Sequence, residues 1–215
     1  MSDFNNAQVV TADVQASISP SQAVDILRAG NDRFVSGNTI NDRNTSNYID
    51  VTAGGQWPFA AVLGCIDSRV PAEVAFDQHI GDIFNVRVAG NFINEDILGS
   101  LEYSCKVAGS KAIVVLGHRH CGAVKSACDG VELGNITAML SKIQPAVAGV
   151  TDVEGDRNSS NAEFVANVAH LNVDMAIDNI KAQSPILNEM YNNGEIKLVA
   201  GMYDVESGKI TMEER

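Results

Sequence analysis

Positive charge is scarce in this sequence. Lys and Arg number 15 against 27 Asp and Glu, a formal net charge of −12 over 215 residues. That balance argues against nucleic acid or an anionic membrane as the main partner. No stretch is apolar for the ~18 residues that a membrane-spanning helix needs, so no membrane span is expected. The opening residues, Met1-Ser2-Asp3-Phe4-Asn5-Asn6, lack a basic region and an apolar core, so no secretory signal is expected either. Cysteine is sparse, at positions 65, 105, 121 and 128, and its spacing does not make a secreted disulfide framework. Reduced thiols and a cytoplasmic location are expected. Internal repeats, linkers and low-complexity segments are also lacking, so residues 1–215 are expected to form one domain. Residues 1–18, polar and aperiodic, form an N-terminal arm that is loose or lies on a partner subunit.

What is present centres on two apolar runs. Phe59-Ala60-Ala61-Val62-Leu63-Gly64 leads into Cys65-Ile66-Asp67-Ser68-Arg69, and Ala112-Ile113-Val114-Val115-Leu116-Gly117 leads into His118-Arg119-His120-Cys121-Gly122. Their length and β-branched content suit buried parallel strands, and open α/β sheets hold ligands at the C-terminal ends of such strands. An extended segment points Cys65, Asp67 and Arg69 to one side. The three-residue offset of His118 and Cys121 suits a turn or a first helical turn that aims both at one ion. Two thiolates and an imidazole select zinc over magnesium or calcium. A structural zinc site would use four protein ligands, whereas here the natural count is three, plus a carboxylate with an arginine two residues away.

The remaining pattern alternates strands and helices. A helix starts at Ser19-Pro20-Ser21 and ends at Gly37, and the loop from Asn38 to Gly55 has room for one short helix. Strands are expected at 59–64, 83–88, 112–117 and 196–205, with a short last strand at 209–212 after the Ser207-Gly208 turn. Helices are expected at 94–108, from about Cys121, at 135–148, at 161–183, and from Pro185 to Asn193-Gly194. The fold class is α/β: a mostly parallel four-stranded sheet with a short antiparallel C-terminal edge strand, flanked by helices.

The joint pattern of Cys65-x-Asp67-Ser68-Arg69 with Gly117-His118-x-x-Cys121-Gly122 resembles the β-class carbonic anhydrases. The likeness extends to Gln56, to Gly81–Asn91 and to Ser100-Leu101-Glu102-Tyr103, and covers nearly all of the chain after Ser19. It implies one Zn2+ per chain on Cys65, His118 and Cys121, with Asp67 and Arg69 as the catalytic pair. It further implies reversible hydration of CO2 to bicarbonate and a proton by attack of zinc-bound hydroxide. Asp67 would become a ligand itself only in a closed site. Gln56, Phe84, Tyr103 and Gly122 would contact substrate, with Phe84 and Tyr103 reaching in from the partner of a homodimer or homotetramer. A regulated subgroup carries Trp three residues before the first cysteine, and Val62 stands there instead, which resembles the constitutively open, plant-type subgroup. His79 and His120 are additional imidazoles, expected either to lie in solvent on the surface or to relay protons. The competing readings are a hydrolase of a CO2 analogue, carbon disulfide or carbonyl sulfide, on the same site, and a non-catalytic zinc module, against which stands the missing fourth soft ligand.

Overall fold

The computed structural model describes residues 9–40 and 46–215. Residues 1–8 of the anticipated arm and 41–45 of the anticipated loop lie outside the described residues. The two apolar runs form the middle of a five-stranded sheet. Strands β1 (Ala60–Gly64), β2 (Ile83–Arg87), β3 (Ala112–His118), β4 (Lys197–Tyr203) and β5 (Ile210–Glu214) lie in the order β2-β1-β3-β4-β5. All pairs are parallel except β4 with β5. The expected sheet is therefore the observed one, with strand ends shifted by a residue or two.

Every residue of β1 and β3 is buried, because both faces of the sheet are covered. Ala61, Leu63, Ile113, Val115 and Leu198 face one layer, while Ala60, Val62, Ala112, Val114 and Val199 face the other. Ten helices surround the sheet among the described residues: α1 (Ala12–Ser17), α2 (Pro20–Ser36), α3 (Ser46–Thr52), α4 (Ala72–Ala75), α5 (Glu95–Glu102), α6 (Gly122–Cys128), α7 (Gly134–Leu140), α8 (Gln144–Gly149), α9 (Ala162–Gln183) and α10 (Pro185–Asn192). Sequence punctuation sets their ends. Ser19 and Gln22 form a capping box at the start of α2, and Gly37 closes it in the left-handed conformation at φ 73°. Asn161 caps α9 by accepting the Phe164 N–H.

Three expectations need correction. The helix expected over 135–148 is two helices, α7 and α8, because Pro145 would clash with a preceding turn and lacks its N–H. The chain turns at Ser141–Ile143 and restarts with Pro145 in the first turn of α8. The helix expected over 94–108 ends as α5 at Glu102 and continues as a wider turn, Tyr103–Val107, with Ala108 N–H bonded to the Tyr103 carbonyl. Residues 9–18 are not loose. Val10 is buried, and Gln15 of α1 donates to the carbonyls of Pro58 and Ala108, each at 2.7 Å, so this part of the arm docks on its own chain.

The topology makes the site. From β1 the chain leaves toward β2, and from β3 it leaves toward β4, so the connections after these two neighbours depart to opposite sides. That is the switch point at which doubly wound sheets open a crevice. In register, Gly64 pairs with Leu116, which puts Cys65 level with the end of β3. Gly117 lets α9 press close against β3: a Cβ there would meet Val173 Cγ2 at 2.6 Å and Met202 Sδ at 2.7 Å.

Candidate metal centre

Three side chains converge in the crevice. Cys65 leaves the end of β1, His118 closes β3, and Cys121 is the residue before α6. One donor atom from each lies within 4.8 Å of the other two, and all three residues are buried. The two sulfurs are 4.0 Å apart. His118 Nδ1 lies 3.0 Å from the Arg119 carbonyl, a contact that requires an N–H there. Nε2 then carries the lone pair and is aimed inward, buried and with no hydrogen-bond partner. A buried imidazole nitrogen without a partner is costly unless something else satisfies it. Two thiols and this nitrogen fit a zinc ion, the metal of tetrahedral N/S sites.

The electrostatics agree. Cys65 is held well below the ordinary thiol range, first by the hydrogen bond from Cys121, then by His118 and by the backbone N–H groups of Gly90 and Asp67. Cys121 is pushed up by that same bond and by burial, and lowered only by the N–H groups of Val124 and Ala123. The two sulfurs thus share one proton between them, and a divalent cation held there would favour the thiolate form of both.

Asp67 stands beside this cluster, its Oδ2 3.9 Å from His118 Nε2. Arg69 grips it at two points, Nε to Oδ1 at 3.0 Å and Nη2 to Oδ2 at 2.8 Å, and adds its own backbone N–H to Oδ1. This fork lowers the Asp67 pKa to about 2. Arg69 also reaches the His120 carbonyl at 3.4 Å, which ties the two ligand-bearing loops together.

The other expected residues lie elsewhere. Gln56 is exposed on the approach to β1. Phe84 and Tyr103 meet edge to face, ring centres 6.2 Å apart, in an open groove of about 770 Å³ along the free side of β2. Gly122 is exposed at the start of α6, where the next two N–H groups serve the Cys121 sulfur. His120 turns outward to Glu206 at 3.3 Å, its backbone left-handed at φ 59°. His79 is not a surface residue: it is buried, stacked on Tyr48 at 4.2 Å, beside Asp82. Cys105 and Cys128 are buried and unpaired, and burial raises Cys105 to about 12.

Sequence reasoning gave no role to three contributors. Arg87, at the end of β2, donates from Nε to the Cys65 carbonyl at 2.8 Å and from Nη2 to the Asp67 carbonyl at 2.6 Å, and so fixes the loop that carries both. Gly90 N–H lies 3.3 Å from the Cys65 sulfur, and Asn172 of α9 donates to the Gly90 carbonyl at 2.8 Å.

Residues 60–210 match the family model described as carbonic anhydrase. The chain is 32% identical over 200 residues to carbonic anhydrase 2 of Mycobacterium tuberculosis, covering 91% of this chain and 93% of that one. It is 32% identical over 203 residues to the carbonic anhydrase of Mycolicibacterium smegmatis, covering 90% and 93%. Its fold is similar to that of two tetrameric β-carbonic anhydrases of Sordaria macrospora, with a TM-score of 0.67 at 23% identity over 86% of this chain and 93% of that one. It is equally similar to the Coccomyxa β-carbonic anhydrase solved with acetazolamide, with a TM-score of 0.67 at 24% identity over 91% and 86%.

Proposed function

The chain belongs to the β-class carbonic anhydrase family, and on that footing we propose that Cys65, His118 and Cys121 hold one zinc ion while Asp67, gripped by Arg69, orients the reacting water. The family activity is the zinc-dependent, reversible hydration of CO2 to bicarbonate and a proton. The observation that carries the residue assignment is the convergence of three buried donors on one point, with His118 Nε2 left without any other partner.

When bound, zinc lowers the pKa of a coordinated water to about 7 and so supplies the nucleophile for CO2. The chain does the rest. Asp67 is held ionised by Arg69, so it acts only as an acceptor; a water O–H donated to it would turn the oxygen lone pair toward the carbon of CO2. Arg69 keeps that carboxylate at the edge of the cluster, and Arg87 keeps the loop beneath it from shifting. Val62, fully buried in β1, stands where the regulated subgroup carries Trp, which supports the open subgroup.

Gln56, Phe84 and Tyr103 complete the substrate pocket across a dimer interface in this reading. The support is threefold. Tyr103 is 53% exposed, β2 is an edge strand among the described residues, and the Sordaria relatives in the fold are tetrameric. Sedimentation at micromolar concentration should show a dimer or tetramer; a fully active monomer would remove the shared pocket. Among the described residues, no helix is long and apolar enough to cross a membrane. A cytoplasmic setting is supported by the four free cysteines.

Stopped-flow CO2 hydration, with zinc measured on the same sample, tests the proposal. Turnover with one zinc per chain is expected. Turnover of carbon disulfide or carbonyl sulfide without CO2 hydration would move the same site to the analogue hydrolases. Zinc without either activity would make it a structural module.

A further inference from the structure

We propose that Asn172 is a positioning residue of the metal centre: it holds the turn whose Gly90 N–H donates to the Cys65 sulfur. The inference rests on the reading of Cys65 as a zinc ligand.

Asn172 lies on the buried face of α9, beside Val168, Ala169, Val173 and Ala176. A buried amide among apolar neighbours is costly unless paired, and its partner is the Gly90 carbonyl at 2.8 Å. Gly90 sits in a turn closed by Asn91 N–H on the Val88 carbonyl at 3.0 Å. Its φ of 82° suits glycine, and a Cβ there would come within 2.4 Å of Ile143 Cδ1. The same freedom that admits glycine leaves its flanking peptides easy to rotate. Asn172 removes that freedom from one side by pinning the carbonyl, and the N–H on the other side stays on Cys65 at 3.3 Å.

That N–H matters because two thiolates place more negative charge on a metal than neutral imidazoles do, which works against acidifying water. Backbone N–H groups on the sulfurs draw some of that charge back. Cys121 receives its N–H groups from Ala123 and Val124, the first turn of its own helix, a local arrangement that supports itself. Cys65 has a local donor in the Asp67 N–H, but its second comes from a turn beyond another strand, and that one needs an anchor. The close approach of α9 to β3 at Gly117 brings the neighbour of Val173 within reach.

The test uses the full chain with cobalt(II) in place of zinc, together with zinc release to a chelator. The wild type should show a thiolate-to-cobalt charge-transfer band. Asn172→Leu and Asn172→Ser should move that band to lower energy and speed zinc release about tenfold. The serine variant keeps the test open if leucine is not tolerated. Asn179→Leu, on the same helix and away from the turn, should leave both readouts unchanged. An unmoved band and unchanged release in the Asn172 variants, even with a lowered melting temperature, would reduce Asn172 to packing and overturn the inference. A wild type with no thiolate band would instead overturn the ligand assignment, and this inference with it.

Discussion

His118→Ala should lose its zinc and fall to the uncatalysed background of CO2 hydration, while His120→Ala keeps both. The two histidines are two residues apart and indistinguishable by type, so the contrast is a direct test of the site. His118 Nδ1 is committed to the Arg119 carbonyl, which orients the ring and leaves Nε2 facing the sulfurs of Cys65 and Cys121. Removing the ring leaves two thiolates and no third soft ligand within reach. His120 points the other way, its ring 40% exposed and paired with Glu206. Cys65→Ser and Cys121→Ser should lose metal as His118→Ala does, since a hydroxyl does not ionise to replace a thiolate near neutral pH. Metal analysis by mass spectrometry beside stopped-flow rates decides the matter. Normal zinc and turnover in His118→Ala would mean that the wrong histidine has been assigned.

The three donors that converge were legible in the sequence because they stand where two strong signals end. A strand buried on both faces reads as an unbroken apolar run, and β1 and β3 are buried at every residue. The polar residues that follow such runs are therefore conspicuous. Other features are legible only in hindsight. Pro145 divides α7 from α8, yet the apolar spacing around it continues as one helical pattern. Asn172 is a polar residue on the apolar stripe of α9, four residues from both Val168 and Ala176, and that mismatch of residue and face is its one sequence signal. Nothing in the sequence ties it to Gly90, because the tie depends on how closely α9 approaches the sheet. Phe84 and Tyr103 mark a different limit. They come together in one chain, but on the open side of β2 and outside the three-donor cluster, so the pocket role proposed for them requires a second subunit.

Arg69→Ala should retain zinc, lose about 10²-fold in CO2 hydration, and bring Asp67 onto the metal. The carboxylate has two attractive neighbours. On one side is the guanidinium, which holds both oxygens and adds a backbone N–H. On the other is the ligand cluster, with Asp67 Oδ2 already only 3.9 Å from His118 Nε2. Asp67 remains ionised and so stays attracted to a divalent cation. In the proposed site the planar fork of Arg69 is the competitor that would keep it away and leave a coordination position for water. With the fork gone, a small rotation of one short side chain satisfies the metal with a fourth protein ligand and shuts out the water. Arg69→Lys should be impaired too, because an ammonium offers a point charge in place of two parallel N–H bonds. The rate at pH 8, the zinc content and a crystal structure of Arg69→Ala together separate this account from simple loss of metal. Wild-type hydration in Arg69→Ala at that pH would leave Asp67 a bystander, with the water oriented by some other group.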